Sequence, residues 1–156
     1  MKTTLQALSA SDYEDWWQIG VRDYAADKVA NGTWTEEESL ARSEDSFREL
    51  LPLGRATEGQ YLFSIRLKEN DQRVGFIWFG RYDGQAYVYD LYIAPDHRRC
   101  GYAREAMTCL EHEARERGFS TIGLHVFGPN TAARELYQQL GYDITDLTMR
   151  KKIPAS

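Results

Sequence analysis

Three apolar stretches, Tyr61 to Leu67, Val74 to Phe79 and Ala86 to Ile93, follow one another with only short polar turns between them. Parallel pairing would need a long crossover between neighbours, for which these turns have no room. The region therefore reads as an antiparallel meander. Its first turn is the polar run Lys68 to Arg73, its second the hairpin dipeptide Asp83-Gly84, and Pro95 closes it.

The flanking segments carry other periods. Thr3 to Leu8 reads as a first short strand. From Asp12 the pattern turns helical, with Trp16, Ile19, Tyr24 and Val29 at roughly helical intervals and Gly32 as a natural stop. Thr35 with Glu38 forms a capping-box pattern that opens a second helix carrying Leu40, Phe47, Leu50 and Leu51, ended by Pro52. Gly101 to Arg117 is the clearest helix: Ala103, Ala106, Met107, Leu110 and Ala114 make one apolar stripe, and Gly118 caps it. Thr121 to Phe127 reads as a strand, Asn130 or Thr131 opens a short helix ending at Gly141, and Tyr142 to Lys152 reads as a last strand. The order β-α-α-β-β-β-α-β-α-β describes a mixed α/β domain rather than a regularly alternating barrel.

At 156 residues the chain suits one domain, 1–156, with no internal repeat. A net charge of −5 argues against general nucleic-acid binding. No apolar run approaches the ~20 residues of a membrane span, and the N-terminus lacks the apolar core of a signal peptide. Two cysteines, Cys100 and Cys109, make neither a disulfide framework nor a tetrahedral metal site. The expectation is a cytoplasmic protein with no metal and no membrane partner.

Chemistry concentrates in Asp90-Leu91-Tyr92-Ile93-Ala94-Pro95-Asp96-His97-Arg98-Arg99-Cys100-Gly101-Tyr102-Ala103. A strand runs into a basic, glycine-containing loop and then a helix, whose first turn offers unpaired backbone N–H groups and partial positive charge to phosphates. Gly101 and Ala103 keep side chains clear, while Arg98 and Arg99 add fixed charge. The third glycine of a dinucleotide fingerprint and the Gly-Lys-Ser/Thr of a P-loop are both missing. After the next strand comes Asn130-Thr131-Ala132-Ala133-Arg134-Glu135-Leu136-Tyr137-Gln138-Gln139-Leu140-Gly141-Tyr142.

Together the two segments resemble the acetyl-CoA-binding core of the GNAT superfamily of N-acetyltransferases. The first resembles its [Q/R]-x-x-G-x-[G/A] motif and the second its N-x-x-A-x-x-L-Y-x-x-x-G-[F/Y] motif, over about residues 86 to 152. The resemblance implies a mixed, mostly antiparallel sheet of six to seven strands flanked by about four helices. It implies that the amides of Arg99, Cys100, Gly101, Tyr102 and Ala103 cradle a CoA pyrophosphate beside Arg98. Leu91, Tyr92 and Ile93 would then offer main-chain groups to the pantetheine arm. Asn130 and Ala133 would lie at the cofactor, although Asn130 equally suits a helix N-cap. Tyr137 matches the family's tyrosine near the cofactor sulfur, where a phenol can protonate the departing thiolate.

The implied activity is acetyl transfer from acetyl-CoA to an amine of a small molecule or peptide, by direct attack in a ternary complex. A sensor or partner-binding domain on the same fold is the alternative, and a homodimer is compatible with either. The base stays open. Tyr87 occupies the position nearest to a glutamate that some members carry, and Asp90 sits on the opposite face by simple alternation unless a bulge reverses the parity. His125 within the strand Thr121 to Phe127 has a suitable pKa. For the acceptor pocket the candidates are Tyr24, Trp34, Tyr87, Asp90 and His125, with Asp23 and Asp27 able to attract a cationic amine.

Overall fold

A computed structural model describes residues 1–156. The meander forms as the turns require: β2 (Gln60–Leu67), β3 (Arg73–Tyr82) and β4 (Gln85–Ile93) pair antiparallel in succession. The turn between β3 and β4 is the two-residue Asp83-Gly84, with φ of 52° and 75°. That left-handed pair matches strand twist, and the asparagine-like side chain and the glycine tolerate it. β1 (Thr3–Ala7) adds antiparallel to β2, and β5 (Ile122–Leu124) adds parallel to β4, giving a five-stranded sheet ordered β1-β2-β3-β4-β5.

Seven consecutive buried residues, Val74 to Gly80, mark β3 as covered on both faces. On one face α1 (Ala10–Ala30) and α2 (Glu36–Leu50) bury Trp16, Val21 and Phe47 against Leu62, Phe76 and Trp78. Phe63, Ile65, Ile77 and Phe79 occupy the alternate positions, on the other face. There α3 (Tyr102–Glu116) packs against β1 and β4 and buries Ala106, Met107, Leu110 and Ala114, most of the stripe read from the sequence.

Caps differ from the pattern. Thr35 stands at the N-cap of α2 but its side chain makes no capping bond, while Ser9 caps α1 by accepting the Asp12 amide at 3.1 Å. α1 therefore starts two residues before Asp12, and it ends at Ala30 rather than at Gly32.

The backbone falls into two compact units, 1–125 and 126–156. The second holds α4 (Thr131–Gln139), capped by Asn130, whose side chain accepts the Ala133 amide at 3.2 Å. The expected six to seven strands are thus five. No strand forms over Tyr142 to Lys152, and the strand expected over Thr121 to Phe127 contracts to Ile122–Leu124. The apolar positions Ile144, Leu147 and Met149 break a period of two, so no single face of an extended 142–152 would be apolar; all three are exposed. No helix is long and apolar enough to cross a membrane.

Candidate active site

β4 carries an irregularity that decides which side chains meet. Trp78 of β3 pairs with Asp90 but the adjacent Phe79 pairs with Val88, leaving Tyr89 as an extra residue. This bulge shifts the alternation, as a one-residue insertion must. Tyr87, Tyr89, Asp90 and Tyr92 consequently share the face covered by α1 and α2, and Leu91 and Ile93 turn to the other. The opposite-face placement expected for Asp90 is corrected by that single residue.

The Asp90 carboxylate is gripped from α1: the indole Nε1–H of the buried Trp16 donates to Oδ2 at 2.9 Å. Removal from water pushes the Asp90 pKa up to about 6; Trp16 and the Leu91 amide oppose this, whereas Asp23 and Asp27 on α1 add to it. Rings wall the site. Tyr89 stacks on Trp78 with centroids 4.5 Å apart, and Tyr87 meets Tyr89 at 4.9 Å. Burial and the neighbouring phenols of Tyr89, Tyr82 and Tyr24 raise the Tyr87 pKa, so Tyr24 also faces this wall. Trp34 stands edge-on to Tyr24 at 5.5 Å, with the Lys28 ammonium over both rings. Gln60 lies across Gly80, where a Cβ would come within 2.1 Å of its Oε1. From there it accepts the Trp78 indole N–H at 2.7 Å and hydrogen-bonds the Tyr89 phenol.

Beyond β4 the chain makes a 3-10 turn, Pro95–His97, and then a loop into α3. Arg99 and Gly101 take φ of 62° and 84°, so the loop turns through two left-handed residues before the helix. Open space lies before Gly101, where an added Cβ meets nothing within 4 Å. The first amides of α3, from Tyr102 and Ala103, have no intrahelical acceptor at this end. Arg98 folds back, its Nε donating to the Ile93 carbonyl at 2.8 Å and its guanidinium lying 5.8 Å from the Tyr92 ring centre. Cys100 is exposed, its thiol 3.5 Å from the Arg98 carbonyl oxygen. α3 is moored by Glu105, whose Oε1 accepts the Lys2 and Thr3 amides and the Thr3 hydroxyl at 2.8–3.0 Å.

The structure thus gathers Tyr24, Trp34, Tyr87 and Asp90 on one wall, and strings Leu91 to Ala103 along one strand end and loop. His125 lies just past β5 and is exposed, outside the strand in which the sequence reading put it. Within the second unit, Asn130, Ala133 and Tyr137 lie together on α4, and Tyr137 meets Tyr142 with ring centres 5.7 Å apart. Sequence reasoning missed Gln60 and Tyr89 as parts of the wall, Trp16 as the donor to Asp90, and Glu105 as the mooring of α3. Their hydrogen-bond partners lie 18 or more positions away, beyond any local spacing rule, although a Trp on a helix facing a lone strand Asp was a signal available in the pattern.

Comparison with known proteins bears on the chemistry. A family model described as the acetyltransferase (GNAT) family matches residues 13–142. The uncharacterized N-acetyltransferase YycN of Bacillus subtilis is 34% identical over 98% of this chain and 100% of its own length. Its crystal structure superimposes with a TM-score of 0.91 at 33% identity, covering 98% of this chain and 99% of that one. The ribosomal protein bS18-alanine N-acetyltransferase of Haemophilus ducreyi is 28% identical, covering 65% of this chain and 72% of its own.

Proposed function

The chain belongs to the GNAT acetyltransferase family, and from that premise we propose that it transfers an acetyl group from acetyl-CoA to the amine of a small molecule or peptide in a ternary complex. The observation that carries the reading is the β4–loop–α3 junction: left-handed Arg99 and Gly101, open space before Gly101, and helix amides behind it. The space is open and the left-handed φ of Gly101 disfavours a side chain there, which suits a pyrophosphate held by backbone amides.

Acetyl-CoA supplies the activated thioester; the residues supply place and protons. The amides of Arg99 to Ala103 hold the pyrophosphate, and the main chain of Leu91 to Ile93 orients the pantetheine arm. Gly75 opposes this stretch with backbone alone, since a Cβ there would stand 2.1 Å from the Tyr92 carbonyl oxygen. Arg98, tied to the end of β4, contributes charge beside the loop. Asn130 and Ala133 open the helix that carries Tyr137, whose phenol donates the proton that the leaving thiolate takes. A bacterial acetyltransferase that modifies a ribosomal protein's alanine is among the relatives, which keeps a peptide amine within the acceptor class.

The test is thermal unfolding with and without millimolar acetyl-CoA. At about 100 times Kd the ligand adds about 2.7 kcal/mol, several degrees for a chain this long. Gly101→Asp should abolish the shift. Tyr137→Phe should keep it and lower kcat for thiol release. Absence of a shift in the folded wild type would defeat the reading, and a shift without acetylation of any amine would turn it into a sensor.

A further inference from the structure

Glu105 closes the first turn of α3, its amide donating to the Gly101 carbonyl at 3.1 Å. Its side chain is committed elsewhere. Oε1 accepts the Lys2 amide at 2.8 Å, the Thr3 amide at 3.0 Å and the Thr3 hydroxyl at 2.8 Å. Three donors on one carboxylate oxygen make a directed, charge-assisted tie to β1. Burial alone would raise the Glu105 pKa, but the Thr3 hydroxyl and the Thr3 and Lys2 amides outweigh it and keep the carboxyl below its ordinary 4.5. The strand is a firm post. Thr3 is 1% exposed and pairs with Leu67 of β2, and the Lys68 amide donates to the Lys2 carbonyl at 2.8 Å. A second tie stands at the other end of the loop, from Arg98 to the Ile93 carbonyl of β4. β1 and β4 are three places apart in the sheet, about 14 Å at ordinary strand spacing. Residues 99–104 run between the two ties. An acidic group in a helix's first turn would ordinarily compete with a phosphate for the positive helix end; here it is drawn onto the strand.

Resting on the acetyl-CoA reading above, we propose that Glu105 is a positioning residue for the cofactor: its tie to Lys2 and Thr3 holds the first turn of α3 against the sheet, so that the Tyr102 and Ala103 amides stand aligned for the pyrophosphate before it arrives. Glu105 acts through those amides rather than on the phosphate. Amides that are already aligned need no ordering when the ligand binds, and the difference appears as affinity. The tie serves one part of the cofactor only. The pantetheine arm is met by the main chain of Leu91 to Ile93, which the β3–β4 ladder fixes without Glu105. β1, at the edge of the sheet and far from the loop in sequence, thereby becomes part of the cofactor's support.

The experiment titrates wild type, Glu105→Ala, Glu105→Gln and Thr3→Val with two thioesters: acetyl-CoA, and acetyl-pantetheine, which has the same arm and no pyrophosphate. Hydrogen exchange of the residue-105 amide, read by NMR against that of Leu110 in mid-helix, reports on the turn itself. In Glu105→Ala, acetyl-CoA should bind about tenfold more weakly while acetyl-pantetheine stays within about twofold of wild type. The residue-105 amide should exchange faster there and the Leu110 amide should not. Glutamine retains an acceptor oxygen, so Glu105→Gln should recover most of the loss. Thr3→Val removes one of the three donors at nearly constant shape; it should weaken acetyl-CoA alone by about threefold, and it decides the matter if Glu105→Ala does not fold. Equal weakening of both thioesters would mean a general structural role and would overturn the proposal. So would acetyl-CoA binding that is unchanged in Glu105→Ala, or tighter, as it would be if the carboxylate merely repelled the pyrophosphate. A wild type that acetyl-CoA does not stabilise fails the transferase reading instead, and the amide exchange then still decides whether the tie to β1 holds the turn.

Discussion

Asp90 stores a cost that should be measurable without any substrate. Its folded pKa, about 6, lies above the ordinary 3.8, so the folded state holds this proton more tightly than the unfolded one. The stability tied to protonated Asp90 is complete below the ordinary value and is lost as pH rises through about 6. Asparagine keeps an acceptor for Trp16 and never ionises. Asp90→Asn should therefore melt above the wild type at pH 8, by on the order of 2 kcal/mol given its partial exposure, with the gap closing toward pH 4. Calorimetry at the two pH values checks it. At this scale the sequence was half legible: Asp90, Tyr87 and Tyr24 stand out as candidates, but the parity of Asp90 depends on Tyr89, and nothing in Tyr-Val-Tyr-Asp announces which residue will bulge. Asn130 shows the reverse case, since its capping bond to Ala133 is the local role that the pattern already offered.

Among elements, the meander was legible because turn chemistry and apolar runs agree, and α3 because its stripe keeps a helical period over four turns. β5 and the segment after α4 were not. A strand of three residues carries little signal, and the apolar residues of 142–152 slip out of register with one another. The β3–β4 pair depends on an absence that the sequence does register, Gly75. Its missing side chain lets the Tyr92 carbonyl approach to where a Cβ would be 2.1 Å away. Backbone atoms cannot swing aside as a side-chain end can, so Gly75→Ala should cost about 3 kcal/mol by forcing the two strands apart. A lower urea midpoint with an unchanged m-value would bear this out; a loss under 1 kcal/mol would mean the strands part easily.

Across the molecule, the sheet and its first helix are joined by a charge cluster that no local pattern reveals. Asp12 of α1 bonds Arg66 of β2 at 2.9 Å and Arg73 of β3 at 2.7 Å, and Asp15 also bonds Arg73. Burial alone would raise the Asp12 pKa, but the two guanidinium groups outweigh it and hold the carboxyl below 3.8. The linkage has the opposite sign to that of Asp90: stability is present above the ordinary carboxylate range and is lost as pH falls through the folded value. Asp12→Ala should cost about 2–3 kcal/mol at pH 7, and the deficit should shrink as pH falls below the ordinary carboxylate range and the wild type loses its own ion pairs. Residues 12, 66 and 73 belong to three elements, so only the fold could bring them together.

The extra residue in β4 has a further consequence, in the currency of chain length. Before Tyr89 the strand is read in one frame and after it in the other, so that Val88 and Leu91 face one side although they are three apart. Deleting Tyr89 would merge the frames into plain alternation, with Val88 and Leu91 still on one side and Asp90 on the other, at the loss of the ring that stacks on Trp78. The strand thus carries one residue more than its partner needs, and that residue supplies a second ring for the wall rather than a place in the ladder.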